Sequence, residues 1–132
     1  MAIEYRTNYP VSAEAVAQLF RQSGIRRPVD DLDRIQQMID HANLTITAWD
    51  GELMVGIGRS LTDFSFCCYL SDLAVDKDYQ RQGIGKAIVA KTQEILGDDV
   101  MLLLLSAPEA MSYYPRIGFE KSDNAWIIQR TP

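Results

Sequence analysis

A single histidine, His41, and two adjacent cysteines, Cys67 and Cys68, are all that the 132 residues hold of imidazole and thiol. His41 has no companion at metal-ligand spacing, so no metal site is expected. Neighbouring residues on a strand point to opposite faces, which makes a bond between the two cysteines strained; both are read as reduced thiols. No stretch approaches the roughly 20 consecutive apolar residues of a membrane span. Basic residues form no block and the formal net charge is −5. Nucleic acid and acidic membranes are therefore not expected partners, because phosphate contacts draw on clustered Lys and Arg. The opening MAIEYRTNYPVSAEAV lacks the basic, apolar, small-residue order of a secretion signal, and a cytoplasmic location is expected. There is no internal repeat, linker or low-complexity segment.

What is present is an ordinary globular composition, 47% apolar and 23% charged. This length supports one domain, residues 1–132, with a core that needs neither disulfide nor metal. The pattern predicts β-α-α-β-β-β-α-β-α-β-β. "IEYRTN" opens as a strand, and Ser12 caps a helix through about Gln22 that stops at Gly24. Asp30 or Asp31 caps a second helix with an apolar stripe of Leu32, Ile35, Met38, Ile39 and Ala42. "LTITAW" and "ELMVGIGRS" flank Asp50-Gly51, a strong hairpin signal. "FCCYLSDLAV" is a longer strand, followed by a helix from about Gly83 to Leu96 that ends at Gly97. "VMLLLLS" reads as a strand buried on both faces. Ala107 to about Ile117 reads as a short helix closed by Gly118, and "FEK" and "AWIIQR" as closing strands. The fold class expected is α/β of the α+β kind, with helices packed on a mostly antiparallel sheet.

The segment "LAVDKDYQRQGIGKAIVAKTQEIL" places Gly83 and Gly85 at the entrance of a helix, where glycine is a poor helix former. A helix start offers free N–H groups and partial positive charge, and glycine lets a ligand approach the backbone. Phosphate suits such a site, although a lone G-x-G also serves tight packing or a left-handed turn. Two nucleotide motifs fail on spacing. The P-loop requires Lys and then Ser or Thr after its glycine, whereas Lys86 is followed by Ala87; the dinucleotide fingerprint wants a third glycine where Ile88 stands.

These residues instead resemble the GNAT superfamily of N-acetyltransferases. Its pattern [QR]-x-x-G-x-[GA] reads here as Gln80-Arg81-Gln82-Gly83-Ile84-Gly85, after a strand ending L-x-V and before an amphipathic helix. "LLLLSAPEAMSYYPRIGFEKS" is similar to a second signature of the family. The resemblance runs from about Trp49 onward and is strongest from Leu73 to Phe119. It implies the acyl-CoA N-acyltransferase fold, a central mixed sheet with helices on both faces. It also implies acetyl-CoA as co-substrate. In that family the turn's amides, here about Gln82 through Lys86, hold the pyrophosphate. Leu73, Ala74 and Val75 pair with the pantetheine arm and polarise the thioester. Arg81 and Lys86 either add charge or form a solvated helix start.

By the same register Tyr114 matches the general acid toward the CoA sulfur, and Tyr113 the aromatic beside it. The general base is open: the strand "VMLLLLS" carries no carboxylate, and Asp72 is either that base or a structural carboxylate. For the acceptor, Arg26 and Arg27 suit a carboxylate or phosphate, whereas Asp63, beside Phe64, suits an amine. Surface loops are the plainer reading of both. The function implied is transfer of acetyl from acetyl-CoA to a primary amine of a small molecule or protein. The alternative is a catalytically idle acyl-CoA-binding module acting on a partner protein. A homodimer covering an exposed sheet edge is expected.

Overall fold

The computed structural model describes residues 2–131. Strand β1 (Glu4–Thr7) leads through Ser12 into helix α1 (Ala13–Ser23). Ser12 accepts the Ala15 N–H on its hydroxyl, and Gly24 closes the helix with φ 83°, returning its N–H to Phe20. These caps satisfy orphaned backbone groups at both ends. Helix α2 (Leu32–His41) starts at Asp31, whose carboxylate accepts the Arg34 N–H. Strands β2 (Leu44–Asp50) and β3 (Leu53–Thr62) form the hairpin that Asp50-Gly51 signals, with Gly51 at φ 60°. Strand β4 (Cys67–Val75) follows, then helix α3 (Ile84–Leu96) and the short strand β5 (Met101–Leu103).

The sheet order is β1-β2-β3-β4-β5. All neighbours are antiparallel except β4 and β5, which run parallel. Helices α1 and α2 cover one face through Val16, Leu19, Phe20 and Ile35, packed on Ile57 and Ala74. Helix α3 covers the other through Ile84 and Ile88, against Leu44, Ile46 and Ala48. Glycine at Gly58 allows this second approach, since a Cβ there would collide with Ile88 Cγ2.

Two departures from a regular sheet shape the site. The register between β3 and β4 shifts between Arg59 and Ser60, leaving Ser71 as an extra residue on β4. Such a bulge bends its strand and re-aims the neighbouring side chains. Further, β5 pairs with β4 only at Cys67, Cys68 and Tyr69. From Leu70 to Val75 the β4 edge on that side has no strand beside it among the described residues.

The last third of the chain departs from its sequence pattern. "VMLLLLS" is not a doubly buried strand: β5 spans three residues, and Met101, Leu103 and Leu105 are exposed. The helix expected over 107–117 is two 3-10 turns, Pro108–Ala110 and Tyr114–Ile117. Pro115 removes an N–H and clashes with the carbonyl four residues back, which breaks a continuous helix. "FEK" and "AWIIQR" form no strand. Their alternation suits a strand, but a strand needs a ladder partner, and Trp126 and Ile128 stand 97% and 99% exposed.

Candidate functional site

The unpaired stretch of β4 forms the floor of a cleft of about 1180 Å³. Arg26, Arg27, Leu73, Ala74, Val75, Gln80 and Tyr114 all line it. The structure thus brings together residues that the sequence separates by almost ninety positions. One wall is the loop after α1; the other is the segment after β5. At the Val75 end, Gln80 Nε2 donates to the Val75 carbonyl at 2.9 Å, tying the turn back onto β4.

That turn runs directly into α3. Arg81 has φ 65° and Gly83 φ 81°, so the chain enters the helix through left-handed backbone. Gly83 holds the N-cap position, no side chain caps the helix, and its first turn carries no acidic residue. The Ala87 N–H already bonds the Gly83 carbonyl. The N–H groups of Ile84, Gly85 and Lys86 are the unpaired donors of an α-helix start. A first turn with free amides, a positive dipole end and no competing carboxylate is suited to phosphate. Gly85 has a separate reason to be glycine: a Cβ there would lie 2.6 Å from the Tyr113 hydroxyl. One glycine serves backbone conformation and the other serves close approach.

Tyr114 begins the second 3-10 turn, with its ring edge-on to Tyr113 at 5.3 Å and to Phe119 at 5.5 Å. This aromatic packing holds the ring where Tyr114 lines the cleft. Burial, and then the neighbouring Tyr113, raises the phenol above its ordinary 10.0, with Arg27 pulling weakly the other way. Tyr114 is therefore protonated across the neutral range.

Asp72 lies beneath the cleft and faces arginines. Its side chain is fully buried, with Oδ1 accepting from Arg27 Nε and Oδ2 from Arg59 Nε, each at 2.5 Å. Arg27 also donates to the Ser71 carbonyl, and Arg59 to the Ser71 hydroxyl and the Met38 carbonyl. The bulge residue, the carboxylate and both guanidinium groups thus form one buried knot. A carboxylate with both oxygens engaged and no exposed surface has no route to an acceptor amine, so Asp72 is placed as an anchor rather than a base.

Asp63 and Phe64 do not line the cleft; they turn the chain at the far end of the β3–β4 hairpin. Asp63 accepts the N–H groups of Phe66, Cys67 and Ser65, which hold its carboxyl at about 2. This is a loop-shaping carboxylate, and Phe64 beside it has φ 58°. Cys67 is exposed and Cys68 buried. Desolvation and the adjacent Asp63 raise the Cys67 thiol, which disfavours a thiolate nucleophile there.

Sequence reasoning missed Arg59, Arg34 and Arg130, which also line the cleft. Arg59 left a trace, since a lone charge inside the apolar strand "LMVGIGRSL" demands a buried partner. The other two sit on exposed positions without a distinguishing pattern.

Residues 12–127 match the family model described as an acetyltransferase (GNAT) domain. The chain belongs to the GNAT acetyltransferase family. An uncharacterized N-acetyltransferase, ycf52, of Gracilaria tenuistipitata var. liui is 27% identical over 101 residues, 72% of this chain. That match covers 54% of the algal protein, so the chain spans about half the length of this relative. Among solved structures, a probable acetyltransferase from meticillin-resistant Staphylococcus aureus superposes with a TM-score of 0.80 at 21% identity, covering 98% of this chain and 100% of that one. The aminoglycoside N-acetyltransferase AAC(6')-Iy in complex with CoA gives 0.72 at 15% identity, covering 98% and 95%. At these identities the structures establish a shared fold, the GNAT acetyltransferase architecture.

Proposed function

We propose that the protein binds acetyl-CoA as co-substrate and transfers its acetyl group directly to a primary amine of a small molecule or protein. The observation that carries this reading is the cleft that runs from Tyr114 along the open edge of β4 to Gln80, the residue that leads the chain into the uncapped start of α3. Backbone from Leu73 to Val75 pairs with the pantetheine arm as an added strand would. The amides from Gln82 to Lys86 receive the pyrophosphate, with Arg81 and Lys86 adding positive charge at the turn. AAC(6')-Iy, which shares the fold, is described in complex with CoA, which supports this placement.

The co-substrate supplies an acyl carbon activated as a thioester. A backbone N–H on the β4 edge polarises the carbonyl as negative charge develops on its oxygen. The amine nitrogen forms the new bond to carbon while the carbon–sulfur bond breaks. Tyr114 gives its phenolic proton to the departing sulfur, and its raised pKa keeps that proton available. The acceptor's own proton passes to solvent through the open cleft. Asp72 fixes Arg27 and Arg59 beside the reaction and takes no proton.

The test is turnover of acetyl-CoA with a panel of amines by wild type and Tyr114→Phe. Loss of one general acid lowers kcat about 10²–10⁴-fold with little change in KM. Equal rates would remove Tyr114 from the mechanism. A second reading, an idle acyl-CoA-binding module, is favoured by the engagement of Asp72 with two arginines. It predicts cofactor binding with no turnover on any amine.

The free β5 edge, with Met101 and Leu103 exposed on it, further supports a homodimer in which a second copy covers this side.

A further inference from the structure

The whole chain carries a net charge of −5, yet among the described residues the cleft is lined by Arg26, Arg27, Arg34, Arg59 and Arg130 against a single acidic lining residue, Glu109. Asp72 beneath the floor offsets one more charge by holding Arg27 and Arg59. The guanidinium groups of Arg26, Arg34 and Arg130 are engaged in no hydrogen bond or ion pair among the described residues, and all three are exposed. A net positive cleft in an acidic protein concentrates anions and repels polycations.

The placement of these arginines separates them from the cofactor's phosphates. Arg26 follows α1, Arg34 lies on α2 and Arg59 on β3, all on the sheet face that α1 and α2 cover. The phosphate-binding turn opens α3, which covers the opposite face. Arg27, with its guanidinium spent on Asp72 and Ser71, sets the wall on which Arg26 stands.

We propose that the acceptor is an amine that also carries an anionic group, a carboxylate or phosphate, held by Arg26 and Arg34 while its amino group faces the thioester. This rests on the acetyl-transfer reading above and names the substrate class of the same site. It sets this chain apart from AAC(6')-Iy and its aminoglycoside acceptors, which carry several ammonium groups and would be repelled here. A planar guanidinium fork fits either anion in a bidentate contact.

The experiment compares matched amine pairs as acceptors: 4-aminobutyrate with butylamine, O-phosphoethanolamine with ethanolamine, and glycine with glycinamide, plus one aminoglycoside. Wild type and the Arg26→Gln, Arg34→Gln double variant are measured together. Calorimetry of acetyl-CoA binding is run on both, and thermal melting confirms that the variant is folded. The anionic member of at least one pair is expected to have a kcat/KM about tenfold or more above its partner, as one charge-assisted contact implies. The double variant narrows that gap by raising KM. Carboxylate and phosphate pairs reveal which anion is preferred. An amine without an anionic group or the aminoglycoside as the best acceptor overturns the proposal and leaves acetyl transfer standing. So does acetyl-CoA binding with no anionic amine acetylated. Weakened acetyl-CoA binding in the variant, with the pair gap intact, assigns the arginines to the cofactor and also overturns it. Absence of acetyl-CoA binding in wild type defeats the acetyl-transfer reading itself.

Discussion

At the scale of single residues, burial and partners distinguish the roles proposed for Asp72 and Tyr114. Asp72→Ala leaves Arg59 and Arg27 without their shared counter-charge, and Arg59 is buried. Removing one partner from a buried ion pair costs about 3–5 kcal/mol. Urea denaturation of Asp72→Ala is expected to show a loss in that range; a loss near zero would make the knot dispensable. Tyr114 carries a pH prediction. Its phenol is raised above 10.0, so it remains an acid through the neutral range. With a fast-reacting amine, kcat is expected to rise with pH as the acceptor loses its proton and to fall only above about 10. A falling limb below pH 9 that Tyr114→Phe abolished would contradict the assignment. The sequence pointed to Tyr114 through the local motif "YYPRIGF", and the folded chain puts that residue in the cleft lining. The fate of Asp72 was not legible in the sequence, since its partners stand 45 and 13 residues away and only the folded sheet joins them.

At the scale of elements, caps and turns were read directly from the sequence. Ser12, Gly24, Asp31, Gly51 and Gly97 act at the junctions where their chemistry places them. Gly83 is the left-handed residue that the G-x-G pattern allows, and Gly85 is the packing residue. The strand β3 carries a constraint of the same kind. Gly58 lies against Ile88, so Gly58→Ala must displace α3 or force Ile88 from its rotamer. Overpacking of this sort costs about 1–3 kcal/mol. Chemical denaturation is expected to show it, and an unchanged midpoint would mean that α3 packs more loosely than the structure places it. The misread elements share one cause. The strands expected after residue 99 and the helix expected over 107–117 were assigned mainly by hydrophobic pattern, while Pro115 divides the helix and β5 diverges from β4 after three pairs. Pattern reports which face prefers burial, but not whether a neighbouring strand is there to bury it.

At the scale of the molecule, a mostly antiparallel sheet with helices on both faces was legible because each element declares its period and its ends. The cleft was legible only in part. The side proposed for the cofactor rests on consecutive residues, whereas the side proposed for the acceptor is assembled from the loop after α1, from α2, from β3 and from the C-terminal segment. At the free edge of the sheet, β5 leaves Met101 and Leu103 exposed. If a second copy covers them, size-exclusion with light scattering gives twice the 14.9 kDa chain mass, and Met101→Lys shifts the population toward monomer. A wild-type monomer at high concentration would contradict this arrangement.

The central claim is that the glycine turn and the open β4 edge hold acetyl-CoA. It is tested most directly by calorimetric titration of acetyl-CoA into wild type and Gly83→Val. One-site micromolar binding in wild type, weakened at least about tenfold when a β-branched residue is forced into left-handed backbone, is the result predicted. Equal affinity in the two proteins, or no binding to wild type at millimolar cofactor, would contradict it.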